Sequence, residues 1–201
     1  MTSDFSQNLW KADEPSPNAP QPPSLPGLKV IRLLGAGGFG AVWLCEQQGP
    51  LLRQVAVKVM RTVMAGPRLR QRFESERRIL ARMDHPGIAQ VFDAGESQDG
   101  SLYFIMELVE GEPILDWCDR NRLSIESRLG LMRQTATAVQ HAHTKGIIHL
   151  DLKSANILVR EVDGAPIVKV IDFGVARLAE DPDAIVTMQG NGADPVGTLE
   201  Y

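Results

Sequence analysis

The sequence predicts an α+β fold in which strands come first and helices follow. Short runs rich in β-branched residues occupy positions 28–60 and recur at 102–108, and apolar residues at helical spacing mark 68–83 and 125–145. The 201 residues suit one large domain or two lobes, and a hydrophobic content of 43% is enough for a buried core. We therefore expect a sheet-based first part and a helical second part.

Charge and composition argue against several classes of protein. The formal net charge of −4 argues against general nucleic-acid binding. No run approaches eighteen apolar residues, and no basic region precedes an apolar one at the N-terminus, so neither a membrane segment nor a secretory signal is predicted. Cys45 and Cys118 lack metal-binding spacing, which favours reduced thiols and a cytoplasmic location.

Residues 1–27 are polar and rich in proline, and we interpret them as a disordered tail. Such a segment buries too little apolar surface to offset its ordering entropy. Order is predicted to begin at Leu28, with strands over 28–34, 41–47 and 54–60.

The string G-A-G-G-F-G joins the first two predicted strands. Glycine lets backbone N–H groups approach phosphate oxygens. A dinucleotide-binding turn is the alternative, but that turn leads into a helix, and no G-K-[ST] follows to make a Walker-type loop. The string therefore indicates a phosphate-covering loop between two strands.

Lys58 lies among valines in the third predicted strand, where an unpaired buried ammonium would be costly. The alternative is an edge-strand lysine that faces solvent. The predicted helix over 68–83 places Glu76 on its apolar stripe, whereas Glu74 points elsewhere. We therefore expect Glu76 to be the partner of Lys58, although neighbouring arginines could compete for it.

Further strands are predicted over 88–92 and 102–108, followed by helices over 113–120 and 125–145. Ser124 is the expected N-cap of the longer helix. Its buried stripe is predicted to consist of Leu129, Met132, Ala136, Val139 and His143.

The stretch 147–159 places three polar residues between apolar runs. Asp151 can accept a proton from a hydroxyl, Lys153 can stabilise a phosphoryl group during its transfer, and Asn156 offers an amide oxygen to a metal ion. Asp172 follows a strand predicted over 166–171 and supplies a carboxylate that suits Mg²⁺. The pattern is typical of phosphoryl transfer.

Together these strings resemble the protein kinase superfamily: G-x-G-x-x-G-x-V ending at Val42, V-A-V-K ending at Lys58, H-x-D-L-K-x-x-N from His149, and D-F-G from Asp172. The lysine two residues after Asp151 resembles the serine/threonine branch, and H-P-G-I resembles its bacterial members. The resemblance implies a two-lobe kinase domain over 28–201. Its N-lobe, 28–108, would hold five antiparallel strands and one long helix, and its C-lobe, 109–201, would be incomplete.

The resemblance further implies ATP and Mg²⁺ as cofactors and serine or threonine hydroxyls of proteins as acceptors. Catalytic roles would fall to Asp151, Lys153, Lys58 and Glu76, and metal binding to Asn156 and Asp172. Met106 would be the gatekeeper beside the adenine. The nucleotide would contact Leu34, Gly35, Ala36, Gly37, Gly38, Phe39, Gly40, Val42, Ala56, Lys58, Glu107, Val109 and Leu158.

Three features depart from the family pattern. Leu150 replaces the usual arginine before the catalytic aspartate, so we expect activity not to depend on a phosphate in the activation segment, for which Thr187 is the candidate. Leu199 replaces proline in G-T-P-E-Y, where Thr198 would help seat the acceptor. The family's A-P-E element does not follow, so we expect a truncated chain that is unstable on its own.

Two other functional classes stay open at this point. A non-catalytic nucleotide-binding or scaffold module would bind Mg-ATP without transferring phosphate. A small-molecule phosphotransferase would share the catalytic aspartate and the metal ligands, but the D-L-K-x-x-N, D-F-G and G-T-x-E-Y strings argue against it.

Overall fold

A computed structural model describes residues 20–37, 40–49, 52–60, 73, 77, 80 and 83–173. The chain divides into two compact units, the first formed by Met1–Ala65 with Phe92–Leu108 and the second by Gly66–Val91 with Val109–Tyr201. One boundary between the two units falls after Leu108. Residues 83–91 nevertheless belong to the second unit, because Gly87 and Ala89 hydrogen-bond to Val170.

The first unit contains the predicted five-stranded sheet. Its strands are β1 (Leu28–Gly37), β2 (Gly40–Gln47), β3 (Arg53–Met60), β4 (Val91–Glu96) and β5 (Leu102–Glu107), in the order β1-β2-β3-β5-β4. The pairs β1–β2, β2–β3 and β3–β5 are antiparallel, and the predicted antiparallel sheet is confirmed.

The strand predicted over 88–92 is wrong in its bounds, because β4 begins at Val91. Ile88 instead forms an isolated parallel bridge with Val170, and both Ile88 and Ala89 are buried. Their apolar side chains therefore reflect burial in the second unit and not a place in the first sheet.

Strand alternation builds the core of the first unit from every second residue. Trp43, Val55 and Val57 are buried in it, and Leu25 packs against them. The backbone N–H of Leu28 donates to the carbonyl of Leu25 over 3.2 Å. Leu25, which lies in the proline-rich segment 1–27, therefore connects the residues before β1 to the core of the first unit.

The second unit combines a small sheet with two helices. Strands β6 (Glu112–Pro113), β7 (Ile157–Val162) and β8 (Ala165–Val170) form an antiparallel three-stranded sheet, and the helices are α1 (Ile114–Arg120) and α2 (Ile125–Thr144). Strand β7 has no counterpart among the predicted strands. The side chain of Ser124 caps α2 by accepting from the backbone N–H of Ser127 over 3.2 Å, as predicted.

Helix α2 buries a different face from the predicted one. The buried residues are Leu131, Thr135, Ala138 and Ala142, whereas Leu129 is 63% exposed and Met132 is 51% exposed. The small alanines let the helix approach β8 closely, and the hydroxyl of Thr135 is satisfied by the carbonyl of Leu131 at 3.0 Å. The buried face of α2 therefore includes a hydrogen-bonded threonine, whereas the sequence pattern favoured a face with larger apolar residues.

In the predicted 68–83 helix, the described residues Phe73, Arg77 and Leu80 are helical. Phe73 and Leu80 are buried, as is Met83, which agrees with the predicted apolar stripe. Among the residues that the structure describes, no helix has the length and apolar character to span a membrane.

Candidate active site

Sheet register places three predicted nucleotide-binding residues on one face of the first unit. Val42 and Lys58 are directly opposite each other in the β2–β3 pair, and Ala56 lies two residues before Lys58 on the same face. Lys58 is only 8% exposed. The neighbouring residues Val55 and Val57 point the other way into the core, so the lysine sits where alternation requires.

The glycine string spans the end of β1 and the start of β2. Gly37 pairs with Gly40, and Gly38 and Phe39 between them lie outside the described residues. Gly40 has φ of +146°, and a Cβ there would lie 2.1 Å from the carbonyl oxygen of Val59. The fold itself therefore requires glycine at position 40.

Gly35 and Gly37 differ from Gly40, because a Cβ on either would meet no heavy atom within 4 Å. Leu34 and Ala36 lie beside them in β1. The steric demands of the fold do not explain these two glycines, whereas the close approach of a bound phosphate would.

A cavity of about 740 Å³ also lies in the first unit, lined among others by Pro22, Ala41, Trp43 and Val59. Ala41, Trp43 and Val59 alternate out of phase with Lys58 along their strands. The cavity is also lined by Ala36, Gly37 and Gly40, three of the predicted nucleotide contacts, and by Met60, but its described lining does not include Val42, Ala56 or Lys58.

The predicted adenine contacts are divided between the two units. Met106 and Glu107 end β5, where Met106 pairs with Ala56 and is buried. Val109 and Leu158 belong to the second unit, where both are buried in one apolar cluster with Ala89. The second unit thus brings together two of the predicted adenine-binding residues that are distant in sequence.

His149 anchors the 149–156 loop within the second unit. Its buried ring donates from Nε2 to the carbonyl of Ile171 over 2.8 Å and packs on Phe173 with ring centroids 4.6 Å apart. Burial lowers the pKa of His149 below its ordinary value of 6.5, against the opposing effect of the Ile171 hydrogen bond and nearby Asp172. The His149 ring therefore holds the loop to the main chain of Ile171.

Asp151, Lys153 and Asn156 are in contact with one another. The ammonium of Lys153 lies 3.0 Å from Oδ2 of Asp151. The amide nitrogen of Asn156 donates to the backbone carbonyl of Asp151 at 2.7 Å and lies 3.4 Å from its Oδ2. A short 3₁₀ turn over Ser154–Asn156 brings the amide back to the aspartate, so the six-residue motif forms one compact group.

The same loop is tied to the backbone that carries Asp172. The N–H of Ile171 donates to the carbonyl of Asn156 over 2.9 Å, while the Ile171 carbonyl accepts from His149. Asp172 follows with φ of +65°, a left-handed conformation that is uncommon for residues other than glycine. Sequence patterns could not identify the main chain of Ile171 as the link, because its side chain carries no polar signal.

Several predicted site residues lie outside the described part of the chain: Gly38, Phe39, Glu76, Gly174, Thr187 and Thr198. Among the described residues, no three His, Cys, Asp or Glu side chains converge on a common point. The predicted metal pair is of another kind, one amide oxygen and one carboxylate.

Comparison with known proteins gives consistent matches. The family described as "Protein kinase domain" matches residues 28–201. Serine/threonine-protein kinase PknA of Mycobacterium tuberculosis is 40% identical over 179 residues, which cover 86% of this chain and 39% of that protein. Pkn2 of Myxococcus xanthus is 38% identical over 174 residues, covering 86% of this chain and 20% of that protein.

Solved structures agree with the sequence matches. A crystal structure of the PknI kinase domain of Mycobacterium tuberculosis matches with a TM-score of 0.61 and 32% identity, covering 76% of this chain and 61% of that one. This chain spans less than two-fifths of the length of the curated relatives above.

Proposed function

The chain belongs to the protein kinase family, and we propose that it transfers the γ-phosphate of ATP, bound with Mg²⁺, to serine or threonine hydroxyls of proteins. The curated relatives are named serine/threonine-protein kinases. We place the reaction in the cytoplasm, because Cys45 and Cys118 are both free thiols, as is usual in a reducing compartment.

The observation that carries this proposal is the contact group of Asp151, Lys153 and Asn156. The Asp151 carboxylate would orient the acceptor hydroxyl and take its proton. The Lys153 ammonium, 3.0 Å from that carboxylate, would stabilise negative charge on the transferred phosphoryl group. Asn156 restrains the loop by donating to the main chain of Asp151. Base and cation therefore occupy one rigid segment, as a reaction that depends on placement requires.

Asn156 and Asp172 fit the role of metal ligands. The Asn156 amide nitrogen is engaged by the Asp151 carbonyl, so its oxygen is the atom suited to a cation, and Asp172 adds a hard carboxylate. When bound, Mg²⁺ would neutralise charge on the phosphate oxygens. Each ligand is held through a neighbouring main-chain bond, since the carbonyl of Asn156 accepts from Ile171.

The nucleotide would be held by the face that carries Val42, Ala56 and Lys58, with the glycine loop covering its phosphates. Lys58 would bind the α- and β-phosphates. Glu76 stays the proposed partner of this lysine. Val109 and Leu158, which pack together, would contact the adenine.

A transfer assay with radiolabelled ATP and a generic basic protein tests the proposal. Asp151→Asn should reduce transfer by a factor of roughly 10²–10⁴ while nucleotide binding persists. Asp116→Asn is the matched control, because Asp116 is exposed on α1 and should leave transfer unchanged. ATP binding without transfer by the unmodified chain would instead indicate a non-catalytic module. Transfer to an aminoglycoside but not to protein would indicate a small-molecule phosphotransferase.

Leu150 bears on how the activity would be regulated. Its apolar side chain, 39% exposed, cannot pair with a phosphate on another segment. We therefore expect activity to be independent of such a phosphate. Thr187→Ala should retain transfer within about twofold of the unmodified protein, and a large loss of transfer would contradict this expectation.

A further inference from the structure

The side chain of Gln134 bonds to the main chain of β8 in the manner of a neighbouring strand. Its amide nitrogen donates to the carbonyl of Pro166 over 3.1 Å, and its oxygen accepts from the N–H of Val168 at 3.0 Å. Strand β8 is the edge of the three-stranded sheet, because β7 pairs with its other side. One side-chain amide thus satisfies two outward-facing main-chain groups of the edge strand.

The same edge is completed further along β8 by a main-chain segment. The N–H of Val170 donates to the carbonyl of Gly87 at 2.8 Å, and the Val170 carbonyl accepts from Ala89 at 2.9 Å. Residues 166, 168 and 170 follow the two-residue repeat of a strand. Helix α2 and the 87–89 segment therefore hold consecutive parts of one edge.

Strand β8 leads directly into Ile171 and Asp172. The left-handed conformation of Asp172, with φ of +65°, persists only where the surrounding structure enforces it. On the inner side, Asn156 and His149 hold Ile171. On the opposite, outer edge of the sheet, Gln134 binds the main chain of β8, and the end of β8 determines where Ile171 and Asp172 begin.

We propose that Gln134 is a positioning residue for the metal-binding carboxylate of Asp172. Its amide fixes β8 along the strand direction, so that Asp172 is presented beside Asn156. Val168 is almost fully buried, so its N–H finds no water if Gln134 is lost, and the strand must shift to satisfy it. This inference rests on the metal role of Asp172 in the proposed function.

The test uses a pair of substitutions on the same helix. Gln134→Leu removes both bonds and retains much of the side-chain volume. Gln140→Leu is the matched control, because Gln140 is exposed on α2 and has no bond to β8 among those described. Mn²⁺ binding, measured by electron paramagnetic resonance with a non-hydrolysable ATP analogue present, reports the metal site without requiring catalysis.

We expect Gln134→Leu to weaken Mn²⁺ binding by about 10-fold or more, in the range seen for residues that orient metal ligands, and Gln140→Leu to leave it unchanged. Gln134→Glu, which keeps the acceptor for Val168 but loses the donor to Pro166, should give an intermediate affinity. If Gln134→Leu does not fold, the Mn²⁺ affinity of Gln134→Glu tests the proposal by itself. Hydrogen exchange should rise over 165–173 in Gln134→Leu.

Unchanged Mn²⁺ affinity in both position-134 variants, or equal losses in the variants at positions 134 and 140, would overturn the inference. Absence of Mn²⁺ binding in the unmodified protein would do the same. Failure of the proposed function has a different signature, in which Mn²⁺ and nucleotide bind, Gln134→Leu weakens the metal, and no phosphate is transferred by any variant.

Discussion

The sheet of the first unit and the 149–156 loop of the second position their proposed functional residues by different physical means. Lys58 faces its side of the sheet because alternation along β3 allows only two directions, and its neighbours Val55 and Val57 occupy the core. Asp151 and Asp172 lie in irregular backbone, where single hydrogen bonds from Asn156 and His149 determine the geometry. A periodic pattern controls the first arrangement, and individual bonds control the second.

This difference predicts different responses to substitution. A strand tolerates side-chain changes that preserve alternation, because many ladder bonds share the task of holding it. The loop depends on few bonds, so the loss of one displaces a functional group. Helix α2 is an exception to this contrast between periodic and irregular segments. Its apolar residues are periodic, and yet they predicted the wrong buried face.

The largest expected effect concerns the two faces of α2. Leu131→Ala should lower the free energy of unfolding by about 2–5 kcal/mol, because it leaves a cavity at a buried position. Leu129→Ala changes the same side-chain type two residues earlier on the exposed face, and should cost about 0.5 kcal/mol or less. Urea unfolding of both variants provides the measurement. Equal losses would show that the predicted stripe is buried after all.

The next effect separates glycines that the sheet needs from those that it does not. Gly40→Ala should lower the free energy of unfolding by about 1–3 kcal/mol, because of its positive φ and the close Val59 carbonyl. Gly37→Ala should leave stability nearly unchanged and weaken ATP binding instead. Calorimetric unfolding and nucleotide titration of both variants separate the two effects. A fully stable Gly40→Ala protein would contradict the close approach.

The sequence was sufficient for features that one local period determines. Four of the five strands, the cap at Ser124 and the face of Lys58 all follow from alternation or from turn chemistry, whereas the apolar run at 88–92 misplaced the start of β4. The buried face of α2 does not, because Leu129 and Met132 form an apolar stripe as convincing as that of Leu131 and Ala138. Only the approach of β8 decides between them.

Long-range polar contacts were beyond the reach of the sequence for a related reason. Nothing around Gln134 indicates that its amide reaches Val168, and the link through the Ile171 main chain carries no side-chain signal. Nothing in the proline-rich composition around Leu25 indicates that its side chain is buried in the core of the first unit. Such contacts depend on which elements meet in space, and a local pattern does not contain that information.

A smaller effect is expected on lowering the pH, and it reports on the loop. Burial lowers the folded-state pKa of His149 and, with His141 and Lys169 nearby, that of His85. Just below pH 6.5 the folded protein therefore binds fewer protons than the unfolded chain. The contribution of these two histidines to the free energy of unfolding is complete above pH 6.5 and is lost as the pH falls.

The midpoint temperature of unfolding should accordingly decrease as the pH is lowered from about 7.5 to about 5.5. Ordinary carboxylates do not titrate in this range. His149→Phe should flatten this dependence whatever its effect on total stability. His143→Phe, at an exposed position of α2, should preserve it. An unaltered slope in His149→Phe would exclude this histidine as a source of the pH dependence.

The smallest effect tests whether irregular backbone stores strain at Leu150. Leu150 and Leu152 are nearly equally exposed, at 39% and 40%, but only Leu150 has a positive φ, of +66°. A left-handed conformation costs an ordinary residue about 1–2 kcal/mol, and asparagine tolerates it better. Leu150→Asn should therefore be more stable than Leu152→Asn by about 1 kcal/mol, as measured by urea unfolding. Because both substitutions remove the same apolar surface, the difference isolates the backbone. No difference would mean that the loop reaches its geometry without strain, and that hydrogen bonds alone distinguish it from the sheet.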